Sequence, residues 1–132
     1  MFLTRLSFLL MIFCGSCYAN ISESDVNKLS QVKTFSIGLN GFAGRTSEGE
    51  KLYKKISKER NAIKKFKTIL ESDQATPEAK LYALCGLKGK NIDANYLMKF
   101  HRVERSASVL KGDILRKLVF PEVYETILSK GC

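Results

Sequence analysis

The chain has no tryptophan, one histidine and two prolines among its 132 residues. The lone histidine, His101, excludes a histidine-based zinc site. The helically spaced positions around it hold Leu97, Met98 and Arg105, none of which supplies the nitrogen, sulfur or carboxylate ligands zinc takes. The lack of tryptophan removes the aromatic fringe expected of a helix that inserts into a membrane interface. Acid is scarce as well: 13 Asp and Glu stand against 22 Lys and Arg, a formal net charge of +9. The glycines at 38, 41 and 44 are followed by no Gly-Lys-Ser/Thr and open no strand–helix unit, which excludes a Walker A loop and a dinucleotide fingerprint. There is no internal repeat and no low-complexity tract. The apolar run from Leu6 to Phe13, broken only by Ser7, is too short to cross a bilayer, which takes roughly 20 residues.

That short run belongs to a different pattern. One cation, Arg5, precedes it, and the small-residue stretch 14–19 follows, with Cys17 and Ala19 at the −3 and −1 positions of a cut before Asn20. This is the three-part layout of a secretory signal peptide over 1–19. The competing reading is lipidation at Cys17, which follows Gly15 and Ser16; Cys14 stands where a lipobox carries an aliphatic residue. The expected mature chain is a single small helical domain over 20–132, exported to the periplasm or secreted, without a transmembrane segment. Losing Arg5 lowers the charge by one, and the strong basic balance still draws the domain toward anionic surfaces: lipid headgroups, envelope polysaccharide or acidic proteins. The compartment argues against nucleic acid. Two cysteines remain, Cys85 and Cys132. In an oxidising compartment they are candidates for a disulfide; the alternative is a buried thiol at Cys85 and a free one at the C-terminus.

Hydrophobic periodicity predicts a mainly α fold, a small helical bundle. Residues 20–33 allow a short helix starting near Ser22 or Ser24. Phe35, Ile37 and Leu39 alternate with smaller residues, which predicts an extended segment near 34–40 ending in a glycine turn. Ser47 and Glu50 form a capping box for a helix from Glu48 to about Lys58, with Leu52, Tyr53 and Ile56 inward. Asn61 is placed to cap a second helix carrying the stripe Ala62, Ile63, Phe66, Ile69 and Leu70. Thr76-Pro77 opens a third, with Leu81, Leu84 and Cys85 on one face, Gly86 admitting a close neighbour and Gly89 as its stop. Asp93 starts a fourth, running through Leu97 and Phe100 toward Val103. Residues 106–120 read two ways: a hairpin turning at Lys111-Gly112-Asp113, or a break followed by a helix with Ile114, Leu115 and Leu118 inward. Pro121 starts the last helix, with Val123, Tyr124, Ile127 and Leu128 inward and Gly131 at its end.

No catalytic constellation emerges. Cys85 lies in an apolar helix without a base beside it, Ser47 and Ser57 have no histidine partner, and the capping role accounts for Glu50. The expectation is a protein that is not an enzyme and carries no metal or cofactor. The concentrated feature is basic: Lys51, Lys54, Lys55, Lys58, Arg60, Lys64, Lys65 and Lys67 against one acid, Glu59. On two amphipathic helices these form either a solvated face or a surface for an anionic partner.

Residues 41–50 (Gly-Phe-Ala-Gly-Arg-Thr-Ser-Glu-Gly-Glu) and 75–87 (Ala-Thr-Pro-Glu-Ala-Lys-Leu-Tyr-Ala-Leu-Cys-Gly-Leu) resemble a family of small exported bacterial proteins. In it a Gly-aromatic-Ala-Gly loop precedes a capped helix, and a Thr-Pro-x-x-Lys-Leu-Tyr-x-Leu-x-Gly-Leu helix follows about thirty residues on. Some members accompany microcin gene clusters as accessory proteins. The resemblance implies an accessory or protective factor in bacterial competition and transfers no catalytic residue. The expected function is therefore an exported binding protein, with electrostatic attachment to anionic envelope lipid or polysaccharide through helices 48–70 as the alternative.

Overall fold

The structure, a computed structural model, describes residues 20–41 and 44–132. The expected signal segment, including Cys17 and its lipidation alternative, lies outside these residues, as do Phe42 and Ala43 of the glycine loop. The described residues form, in order, α1 (Asn20–Ser30), β1 (Leu39–Asn40), β2 (Arg45–Thr46), α2 (Glu48–Ser57), α3 (Ala62–Glu71), α4 (Pro77–Gly89), α5 (Ala94–Met98), β3 (Ser106–Lys111), β4 (Ile114–Val119) and α6 (Phe120–Lys130). The fold is mainly helical, with two small antiparallel sheets added to the bundle.

Helix α4 is the centre. Thr76 caps it by accepting from the Ala79 amide at 3.1 Å, and Pro77 occupies the first turn, where a missing N–H costs nothing. Every residue from Leu81 to Leu87 is buried. Helices α1, α2, α3 and α6 and strand β3 pack around it. Gly86 lets α3 approach: a Cβ there would collide with the Phe66 ring. Burial of Phe66 and of each leucine around it contributes roughly 1.5–3 kcal/mol. Glu78, in the first turn of α4, is buried and accepts the Ser108 N–H at 2.8 Å, which fixes β3 against the helix. At the other end Cys85 and Cys132 are bonded, with Cα atoms 5.9 Å apart, and Lys88 Nζ donates to the carbonyls of Ile127, at 2.7 Å, and Leu128. Together these hold the C-terminal turn of α6 to α4.

The ambiguous region resolves as a hairpin. β3 and β4 pair from Ser106↔Val119 to Lys111↔Ile114, and the turn needs Gly112 at φ +61°. The extended segment near 34–40 is observed as well: Phe35 bridges Val109, and β1 pairs with β2 through the glycine turn.

Several local expectations are corrected. α1 begins at Asn20, earlier than Ser22. Asn61 precedes α3, but its side chain makes no capping bond. α5 ends at Met98 rather than Val103: Tyr124 donates its hydroxyl to the Leu97 carbonyl at 2.5 Å, and the chain turns there to enter β3. The capping box is half formed. Ser47 accepts from the Glu50 amide at 3.2 Å, but Glu50 does not return the bond. Its carboxylate accepts the Gly38 N–H at 3.0 Å and pairs with Lys54, because the 34–40 segment lies close enough to compete.

Candidate anionic-partner surface

The eight cations of the basic stretch have different surroundings. Lys51 pairs with Glu48 at 3.0 Å and Lys54 with buried Glu50 at 3.0 Å, both along the face of α2. Lys55 reaches Asp25 of α1 at 2.7 Å, and that hydrogen bond raises its pKa above the ordinary lysine value. Lys65 was expected off the apolar stripe of α3; it is buried and paired with Glu59. Its aliphatic stem lies with the core while its ammonium reaches back to the α2–α3 turn. The continuous positive surface over α2 and α3 is thus interrupted by ion pairs along α2.

The other four are Lys58, Arg60, Lys64 and Lys67, which form no ion pair among the described residues. Arg60, Lys64 and Lys67 recur at i, i+4 and i+7 and so share one face at and along α3. With Asn61, exposed Ile63, Thr68 and Glu71 they line a shallow groove of about 570 Å³. Lys67 lies 4.8 Å from the centroid of Tyr96, and Lys99 approaches the same ring at 5.9 Å. Tyr96 donates its hydroxyl to Glu71 at 2.6 Å, and partial burial together with that carboxylate pushes its pKa up. The groove thus holds three cations, one acid already engaged by a phenol, and one exposed apolar side chain, Ile63.

The sequence puts Tyr96 on the fourth helix but gives neither it nor Lys99 a place at this surface; they reach α3 from α5 and the residue that follows it, a contact with no local signature. A second cationic cleft was also missed. Lys80, Arg102 and Arg105 line about 250 Å³ with Asp73, and burial lowers the Lys80 pKa against the opposing charge of Asp73, with a smaller lowering from Arg105. Arg102 and Arg105 follow α5 while Lys80 sits in α4, so only the packing of the 99–105 segment brings them together.

Elsewhere the candidate groups are structural. Tyr82 accepts the Ser36 N–H at 2.9 Å, donates to the Ser36 carbonyl at 2.8 Å and lies 3.1 Å from Ser47 Oγ. Its burial raises its pKa. The bonds from Ser47 and Ser36 oppose that shift, and the charge of Glu50 adds to it. His101 points a ring nitrogen at the Met98 carbonyl. Among the described residues no group of three His, Cys, Asp or Glu side chains is placed to hold a metal ion, and no helix is long and apolar enough to cross a membrane.

No protein-family model, curated protein or solved structure matches this chain.

Proposed function

We propose that this protein is an exported, non-enzymatic binding protein that attaches to an anionic envelope surface, lipid headgroup or polysaccharide, through the α3 groove. One observation carries the reading: Lys58, Arg60, Lys64 and Lys67 keep their charge unpaired among the described residues, while the other four cations of the same stretch each face a carboxylate. A cation already paired gives little to a second anion; an unpaired one near a phosphate-rich surface contributes about 1 kcal/mol. The Cys85–Cys132 bond supports export, since such bonds persist in oxidising compartments. On the resemblance to microcin-associated proteins, attachment would serve an accessory role in bacterial competition.

The test compares two triple variants that remove the same net charge. Arg60→Gln/Lys64→Gln/Lys67→Gln should weaken sedimentation with phosphatidylglycerol-containing vesicles by about 100-fold, equivalent to about 3 kcal/mol. Lys51→Gln/Lys54→Gln/Lys55→Gln should weaken it far less. Binding of the unaltered protein should fade between low and physiological salt. Equal losses in the two variants would show that only net charge matters, and the α3 groove would lose its role.

A further inference from the structure

Strand β4 is open along its outer edge. β3 lies between two neighbours. On one side Phe35 donates its N–H to the Ser108 carbonyl at 2.8 Å and accepts the Leu110 N–H at 2.9 Å. On the other side is β4, which has no second neighbour among the described residues. The parity of the ladder is set where Phe120 N–H donates to the Arg105 carbonyl at 3.0 Å. Antiparallel alternation then points the backbone groups of Ile114, Arg116 and Leu118 toward β3, and those of Leu115 and Lys117, together with the Val119 N–H, outward; the Val119 carbonyl belongs to the N-cap of α6. Ser108 and Leu110, which bond Phe35, obey the same parity on β3.

The side chains make this edge unusual. Ile114-Leu115-Arg116-Lys117-Leu118-Val119 places Ile114 and Leu118 on one face with Arg116 between them, and Leu115 and Val119 on the other with Lys117 between them. Both faces are solvated: Ile114 is 56 % exposed, Leu115 59 % and Val119 52 %. On the first face Val109, Lys111, Ile114, Arg116 and Leu118 bound a groove of about 350 Å³. Exposed apolar side chains beside unpaired backbone donors and acceptors form a template for strand addition.

Charge selects the occupant. A second copy pairing through the same edge, in registers centred on the strand, sets Arg116 against its own copy or Lys117 against its own copy, and like charges directly opposite are unfavourable. Between residues 106 and 119 the single acid is Asp113, at the turn. We infer that the outer edge of β4 accepts an extended acidic segment of a partner protein by antiparallel strand addition, with carboxylates opposite Arg116 and Lys117 and apolar side chains opposite Ile114, Leu115, Leu118 and Val119. This edge is separate from the α3 groove, so neither proposal depends on the other.

The probe is a fluorescently labelled peptide, Ser-Val-Leu-Glu-Glu-Leu-Val-Ser, titrated with the purified protein by anisotropy. The expected result is saturable binding that slows amide exchange at Leu115, Lys117 and Val119. The same peptide with Lys-Lys at its centre should not bind. In Arg116→Glu/Lys117→Glu the preferences should invert: the acidic peptide at least tenfold weaker and the basic peptide gained. If the double variant misfolds, the contrast between acidic and basic peptides on the unaltered protein still decides. Absence of saturable binding, equal binding of the two peptides, slow exchange at these amides before peptide is added, or a dimer by sedimentation equilibrium that closes the edge would each overturn the proposal.

Discussion

Helix α4 and strand β4 are both mostly apolar, Leu81–Leu87 without a charge and β4 at four of its six positions, yet the first is buried throughout and the second exposed along its whole length. The difference lies in what each sequence permits its neighbours to do. In α4 the small residues Ala83 and Gly86 separate the large ones, so helices pack on opposite sides at once, and Phe66 lies flush against Gly86. In β4 the apolar residues fall at i, i+1, i+4 and i+5. On a helix that spacing makes one inward stripe; on a strand it divides between two faces. A single small core covers one face at most, and the two cations at the centre of β4 oppose covering either. Apolar content therefore does not decide burial here; geometry and the placement of charge do.

The largest effect that tests this contrast is expected in the α4 neighbourhood. Phe66→Ala should cost about 3–5 kcal/mol in denaturant unfolding, the range for deleting a buried aromatic ring. Its partner substitution is more discriminating. Helix propensity alone makes Gly86→Ala stabilising by up to about 1 kcal/mol. Contact with the Phe66 ring makes it destabilising by about 1–3 kcal/mol instead. In the Phe66→Ala background the sign should revert to stabilising. A stabilising Gly86→Ala in the unaltered protein would mean that α3 and α4 are not in close contact at this point.

Next in size is the tie between α4 and the C-terminus. Cys85 and Cys132 are 47 positions apart, and a bridge over such a span typically contributes about 2–4 kcal/mol by restricting the unfolded chain. Reduction should lower the melting temperature by several degrees while leaving far-ultraviolet circular dichroism unchanged, because the Lys88 bonds to Ile127 and Leu128 persist. An unchanged melting temperature would show that the C-terminal turn is held by packing and by Lys88 alone.

The smallest effect belongs to β4. Leu115→Thr should change stability by no more than about 0.5 kcal/mol, since the side chain is largely in solvent and threonine suits a strand. A loss above about 1.5 kcal/mol, measured in the same denaturant series, would mean that β4 is covered in the free protein, and the contrast with α4 would fail.

Much of the helical layout was legible locally. Thr76-Pro77, Ser47 and Asp93 mark helix starts by bonds that span two or three residues, and all three side chains accept an amide of the first turn, as caps do. The pairing of Cys85 with Cys132 was legible as a candidate because few cysteines remain to choose from, and the short distance from Ile127-Leu128 to the chain end allows the reach. The candidate surface was legible only as composition. Which cations stay unpaired depends on Asp25 reaching Lys55 from α1, on Glu50 being drawn to Gly38 and Lys54, and on Lys65 turning back to Glu59.

By itself, then, the sequence determined the mainly helical class, the capped starts of α2, α4 and α5, the close approach at Gly86 and the excess of positive charge, because each follows from interactions within a few residues or from counting. The tertiary structure alone decided that 106–119 is a hairpin, that four of eight cations are neutralised, and that Tyr96 joins α3. The hairpin is the clearest case. Its apolar spacing fits a helix, but Phe35 bonds Ser108 and Leu110, and Glu78 holds the Ser108 amide. Backbone partners supplied from more than 25 residues away by Phe35 and Glu78 outweigh a local periodicity that neither of them reads.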